Sequence, residues 1–204
     1  MTRAEPIAAA CGVLVAGGHG RRAGGPKALK RLDGALLWRV HAEALHAAGC
    51  ARVVAVLHPA AMPDAAATDP PTPWLRCVGA DPDAPMFASL QRGLATLAAD
   101  EAAVVQLVDA GLAAPATVAA LRTGATEAAE VWVVRPRHGA RTGHPLWLAP
   151  AAVARLTTLD ASSTRLDHWL AALPPARRLD VAVEDAGVLA NFNADGIGAG
   201  EPSP

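Results

Sequence analysis

The chain has 204 residues, 52% of them hydrophobic and 18% charged, with a formal net charge of -1 at pH 7. That length suits one domain with a sizeable core, and the apolar fraction excludes disorder over most of it. The near-neutral charge removes the electrostatic case for a nucleic-acid partner or an anionic membrane, and no run approaches the ~18 apolar residues of a membrane span.

Gly12 to Ala16 reads as a short, buried strand. Leu36 to Ala48 reads as a helix stopped by Gly49, and Arg52 to Leu57 as a β-branched strand. Strand, loop, helix, strand is a βαβ unit, which predicts parallel strands. Pro59 to Pro73 is Pro/Ala-rich and predicts an exposed loop, and Leu75 to Val78 a third strand. Met86 to Ala98 predicts a helix and Ala103 to Val108 a strand ending in Asp109, with another helix starting at Pro115. Strands are expected at Val131 to Val134, Leu146 to Leu148 and Val181 to Val183. Helices are expected near Ala151 to Leu156 and Thr164 to Leu173, with a short one at Val188 to Ala190. Residues 1–195 form one expected domain, and the Gly/Pro-rich tail 196–204 is expected to fray. Cys11, Cys50 and Cys77 are far apart and odd in number, which suits neither a metal site nor a disulfide framework and points to the reducing cytoplasm. Cys11 follows an alanine run, but Glu5 and Pro6 interrupt the stretch where a signal peptide needs its apolar region, so a first strand is expected there.

The first strand ends in Gly17-Gly18-His19-Gly20-Arg21-Arg22-Ala23-Gly24-Gly25-Pro26-Lys27. A flexible loop with basic side chains after a buried strand is what phosphates need. Three nucleotide sites compete for it. Gly18, Gly20 and Ala23 fit a dinucleotide fingerprint, but that site needs a carboxylate after the second strand, where Leu57 and His58 stand. A Walker loop needs Gly-Lys followed by Ser or Thr, and Gly25-Pro26-Lys27-Ala28 lacks that spacing and hydroxyl. A nucleotidyltransferase loop, in which amides and basic side chains wrap a triphosphate, accounts for the charge, the length and the downstream Asp109.

Ala16 to Lys27 resembles the loop A-[AG]-G-x-S-x-R-M-G-x-x-K of the nucleotidyltransferases that attach a nucleotide to molybdopterin. Gly17, Gly18, Arg22, Gly24 and Lys27 stand at the family's positions; Gly20 replaces its serine and Ala23 its methionine. The resemblance continues through Leu36-Leu37, then Ser89-Leu90 and Gly93 of the base pocket, and Val108-Asp109 of the metal site. Gly143-His144-Pro145 is the motif of the cytidylyl branch, and Asn191-Phe192-Asn193 resembles the N-x-N-T-P-E-D ending. The chain departs from the pattern at Ala110-Gly111, where a proline is usual two residues after the aspartate, and at Ala194-Asp195-Gly196.

This resemblance implies a single three-layer α/β domain with a mostly parallel sheet, a Rossmann-like nucleotidyltransferase fold. It implies a cytoplasmic Mg2+-dependent enzyme that moves a nucleoside monophosphate from an NTP to the terminal phosphate of molybdopterin and releases pyrophosphate. Arg22, Lys27 and Asp109 are the implied catalytic residues. Ala16, Gly17, Gly18, Gly20, Gly24, Lys27, Ser89 and Gly93 would bind nucleotide, Gly143, His144 and Pro145 the acceptor, and Asp109 with Asn193 the metal. Ala16-Gly17-Gly18 matches the guanylyl branch, whereas Phe87-Ala88-Ser89-Leu90 and Gly143-His144-Pro145 lean to CTP, which is favoured over GTP. Its substrates would be the NTP and a phosphorylated pterin, and its onward partner a molybdoenzyme or its chaperone, with no nucleic acid and no membrane. Two alternatives stay open: a sugar or polyol phosphate acceptor, and a nucleotide-binding relative without turnover.

Among the remaining residues, Asp160 is expected to pair with Arg165, and His19, His41, His46 and His168 to face solvent. Trp38, Trp132, Trp147 and Trp169 are expected in the core. The histidine spacing predicts no zinc site.

Overall fold

A computed structural model describes residues 10–21, 24–67 and 72–192. Strand β1 (Cys11–Ala16) is buried along its whole length. A small hairpin, β2 (Arg31–Leu32) and β3 (Ala35–Leu36), leads into α1 (Leu37–Ala47). Gly49, at φ +95°, ends that helix turn. Strand β4 (Arg52–Leu57) pairs parallel with β1, as the βαβ reading predicts. The Pro59 to Pro73 segment holds a 3-10 turn at Pro59–Ala61 and a short helix α2 (Met62–Ala66), where the sequence predicts loop. Both start at or beside a proline, whose fixed φ and missing N–H cost nothing in a first turn.

After β5 (Leu75–Gly79) comes α3 (Met86–Leu94), four residues shorter than its apolar spacing predicts. The Thr96 hydroxyl donates to the Gly93 carbonyl at 2.8 Å, and Leu97 N–H bonds the Leu94 carbonyl at 3.1 Å, so the chain tightens out of the helix. Strand β6 (Ala103–Leu107) returns beside β1 on the side opposite β4. Then follow α4 (Pro115–Glu127), β7 (Val133–His138), β8 (Arg141–Thr142), β9 (Leu146–Leu148), α5 (Pro150–Thr157), α6 (Leu166–Ala172) and β10 (Arg178–Ala182). Both β7 and β10 are longer than their apolar runs. Arg135 on β7 forks onto Asp180 on β10, Nε to Oδ1 at 2.7 Å and Nη2 to Oδ2 at 2.8 Å, so charged residues continue the ladder.

The main path runs β10-β7-β9-β6-β1-β4-β5. Every neighbouring pair is parallel except those made by β9, which runs antiparallel to β6 and β7. Side chains alternate across the central strands. Leu14 and Ala16 pack into the layer with Leu37, Trp38, Leu45, Val118 and Leu121. Val13 and Val15 pack into the layer with Phe87, Leu90, Leu94, Ala152 and Leu156. The result is a three-layer α/β domain with a mostly parallel sheet. Connections from β1 lead toward β4, whereas β6 lies on its other side, so the strand order reverses between them. Ligands bind beyond the carboxyl ends of strands at such a reversal.

Candidate active site

The glycine loop leaves β1 at this reversal. Gly17 is buried, and a side-chain carbon there would overlap the Ala80 methyl and stand 2.8 Å from Ser89 Oγ. Gly20, at φ +59°, turns the loop back: its carbonyl accepts from Gly25 N–H at 3.1 Å, and a Cβ would collide with the Gly25 carbonyl. That collision is the physical reason for glycine where the resembling family has serine. Lys27 then opens a 3-10 turn, Lys27–Leu29, and its Nζ lies 2.9 Å from Asp109 Oδ2.

Asp109 stands two residues past the end of β6. Its turn is held from three directions: Val108 N–H donates to the Val15 carbonyl at 3.1 Å, Ala110 N–H to the Leu107 carbonyl at 3.1 Å, and Phe192 N–H to the Asp109 carbonyl at 2.6 Å. Ala110 also bridges Asn191 in antiparallel fashion. The aspartate's side chain is 36% exposed and that of Lys27 17%.

One cleft of about 950 Å³ is lined by Ala16, Gly17, Gly18, Gly20, Lys27, Ser89 and Asp109, so these expected residues come together. Gly24, which is exposed, and Gly93, which is buried, are not part of its lining. A Cβ on Gly93 would be 2.6 Å from Val13 Cγ1 and 3.0 Å from Val56 Cγ2. Its place is helix-to-sheet packing. Arg22 and Asn193 fall outside the described residues, as does the tail from 196.

A second cavity of about 290 Å³ shares Met86 and Leu107 with the cleft and is lined by Gly143 and His144, with Arg135, Thr142 and Arg165. Pro145, joined to His144 by a cis bond, is buried and off the lining. Burial lowers the His144 pKa, while the Asp109 charge acts in the opposite sense. Arg165 forks onto Asp167, at 3.1 and 2.8 Å, rather than onto Asp160. Asp160 instead accepts from Ser162 N–H at 3.0 Å and from the Ser162 and Ser163 hydroxyls, which lower its pKa; Arg165 lowers that of Asp167 to about 2.

Sequence reasoning missed several cleft residues. Asp81, Asp83 and Met86 line it beside Asn191 of the expected Asn-Phe-Asn motif, and His19, expected in solvent, bonds Asp83 Oδ1 at 2.9 Å through Nε2. The Asp-Pro-Asp run after β5 was the one signal for Asp81 and Asp83, since a loop facing the glycine loop carries no periodicity. His41, expected on a helix surface, is fully buried with its ring 5.8 Å from that of Phe192. Burial lowers its pKa to about 4. Trp38 and Trp147 are core residues, and Trp132 and Trp169 are half-buried against it.

The glycine loop faces a strand-end carboxylate at the switch point of a mostly parallel sheet, in which β9 and the short β8 run the other way, as a nucleotidyltransferase fold is expected to. The model of the MobA-like NTP transferase domain matches residues 12–178, and the chain belongs to that family. No curated protein matches it significantly. Solved structures share the fold. Rv0371c of Mycobacterium tuberculosis H37Rv is 23% identical with TM-score 0.72, over 91% of this chain and 94% of that one. Another structure of Rv0371c is a complex with manganese. A nucleotidyl transferase from Methanothermobacter thermautotroptrophicus is 22% identical with TM-score 0.70, over 90% and 92%. The 2-C-methyl-D-erythritol 4-phosphate cytidylyltransferase of Thermus thermophilus is 18% identical with TM-score 0.57, over 89% and 91%. No helix among the described residues is long and apolar enough to cross a membrane.

Proposed function

We propose that this protein transfers a nucleoside monophosphate from an NTP, CTP ahead of GTP, to the terminal phosphate of molybdopterin and releases pyrophosphate. The observation that carries this reading is the convergence of the glycine loop, Lys27 and Asp109 on one cleft beside the cavity of Gly143 and His144. An oxygen of the acceptor phosphate attacks the α-phosphorus; the bond to the pyrophosphate oxygen breaks, and pyrophosphate leaves. The nucleophile is already ionised at neutral pH, so the chain's task is positioning and charge neutralisation. The loop amides and Lys27, with Arg22, hold the triphosphate. Gly143, His144 and Pro145 place the acceptor.

The donors fit a hard divalent cation. Among the described residues no cluster of three or more His, Cys, Asp or Glu suits a metal, but magnesium takes only one or two carboxylates when phosphates complete its shell. Asp109, with Asn193 as second ligand, would hold Mg2+, which supplies further neutralisation of the phosphates. The manganese complex of Rv0371c supports divalent chemistry in this fold. The domain is taken to run to residue 195 and to work in the cytoplasm, where Cys11, Cys50 and Cys77 stay free as they are here.

GTP is a second reading with its own support. Gly17 packs so closely on Ala80 and Ser89 that an alanine, as in A-A-G loops, needs one of them to move. Incubation with CTP or GTP, Mg2+ and molybdopterin, read by mass spectrometry, decides both base and acceptor. A cytidylylated pterin is expected; product only from a sugar or polyol phosphate, or none with any acceptor, overturns this assignment.

A further inference from the structure

The cleft carries Asp109, and the smaller cavity Gly143 and His144. These belong to separate elements, the turn after β6 and the link from β8 to β9. One segment, Asp185 to Phe192, touches both. It makes a 3-10 turn, Ala186–Leu189, and then runs beside the Asp109 turn, where Asn191 bridges Ala110. On the acceptor side the His144 N–H donates to the Val188 carbonyl at 3.0 Å. On the nucleotide side the Gly111 N–H donates to the Ala190 carbonyl at 2.9 Å, and the Phe192 N–H to the Asp109 carbonyl at 2.6 Å. The backbones of both turns are thus held against one strap. Both contacts are closed to side chains: a Cβ on Gly143 would stand 1.9 Å from the Val188 carbonyl oxygen, and one on Gly111 2.1 Å from that of Gly187. Gly111 stands where the resembling family has proline, which would bring a ring into that space and remove the N–H.

The strap is anchored by a side chain outside both cavities. Asp185 Oδ1 accepts from the Gly187 N–H at 2.8 Å and caps the 3-10 turn, and its Oδ2 accepts from the Thr117 hydroxyl at 2.9 Å. Thr117 stands in the first turn of α4, is 1% exposed and lines neither cavity. A buried hydroxyl with an ionised acceptor makes a strong hydrogen bond, and this one ties the start of the strap to α4.

We propose that Thr117 is a positioning residue for the transfer: through Asp185 it seats the 185–192 strap, and the strap sets the spacing between the acceptor loop at Gly143-His144 and the turn that carries Asp109. The proposal rests on the assignment of the two cavities to nucleotide and acceptor. Transfer needs the reacting atoms within about 3–3.5 Å, and a displacement of about 1 Å can cost roughly 100-fold in rate. Thr117 touches neither ligand. Its removal therefore leaves the lining of each cavity in place and changes how the two are spaced.

The test uses the full chain with Thr117→Val, which keeps the shape and removes the hydroxyl, and Thr117→Ser, which keeps the hydroxyl. Hydrogen exchange read by NMR follows the amides of Gly111, His144 and Phe192. Thr117→Val should exchange all three about tenfold faster than wild type while the amides of β1 and β4 stay unchanged, and Thr117→Ser should match wild type. Should Thr117→Val fail to fold, Asp185→Asn serves the same comparison, because an amide offers one acceptor oxygen where the carboxylate uses two. Unchanged exchange at these amides, or a change on one side of the strap alone, overturns the proposal. So does an equal rise in β1 and β4, which marks general loosening. A second arm measures transfer from CTP and GTP to molybdopterin. Thr117→Val should lower kcat about tenfold with the KM for NTP within about twofold, and Thr117→Ser should restore it. An unchanged kcat, or a loss confined to KM, overturns the positioning role. Wild type that neither binds nor transfers from either nucleotide overturns the transferase reading, while the exchange comparison still decides whether Thr117 seats the strap.

Discussion

Asp109 and His41 show how differently burial treats two ionisable side chains. Asp109 keeps 36% of its side chain exposed at the cleft, whereas His41 is fully buried. Replacing Asp109 by asparagine keeps the shape and removes the charge; pyrophosphate release should fall about 100-fold or more, with the melting temperature little changed. A fall of less than threefold would place the metal elsewhere. His41 gives a pH prediction. Its pKa in the folded chain is lowered from 6.5 to about 4 by burial, so the unfolded chain takes up a proton that the folded chain refuses. Stability is complete above pH 6.5 and is lost as pH falls toward 4, by roughly 3 kcal/mol in total for this group. Urea midpoints measured across that window should slope downward toward acid, and His41→Leu should remove most of that slope. Neither the burial of His41 nor the approach of Lys27 to Asp109 was legible in the chain. A lone histidine in an amphipathic helix carries no mark of depth, and these two charged residues lie 82 positions apart.

At the scale of elements, α3 is where packing and site meet. It turns Ser89 to the cleft and lays Gly93 on β1 and β4 one turn later. A methyl group at position 93 meets Val13 Cγ1 at 2.6 Å, so Gly93→Ala should overpack the helix–sheet contact and cost about 1–3 kcal/mol. Chemical denaturation checks the cost. Because Ser89 rides on the same helix, nucleotide affinity should fall as well; an alanine variant as stable as wild type would mean that α3 lifts without loss. The central elements are readable because they obey simple periods. Strand β4 is expected with its observed bounds, and so is β9. Both are continuous apolar runs, as strands covered on both faces are. The outer strands β7 and β10 extend beyond their apolar runs because their charged residues satisfy each other across the ladder, which one segment alone does not reveal.

For the whole molecule, a site built from the ends of β1 and β6, α3 and the 191–192 segment links ligand binding to global stability. An NTP with Mg2+ at 100 times its Kd should stabilise the fold by about 2.7 kcal/mol, which for a domain of this size is roughly 2–4 °C per kcal/mol. Differential scanning fluorimetry with each NTP reads both the shift and its base preference, and no shift with any NTP contradicts the proposed activity. The class of fold and the glycine-rich loop after β1 were already set by the sequence alone. Apolar periodicity follows local geometry, and a glycine-rich turn with cations is a contiguous signal. Only the tertiary structure decided which of those residues meet. It brought Lys27 onto Asp109, packed Gly93 against Val13 and Val56, paired Arg165 with Asp167, and aligned Asp81, Asp83 and Asn191 along the cleft. Such pairings are settled by the order in which parallel strands assemble, a non-local choice made by burying both faces of the sheet at once.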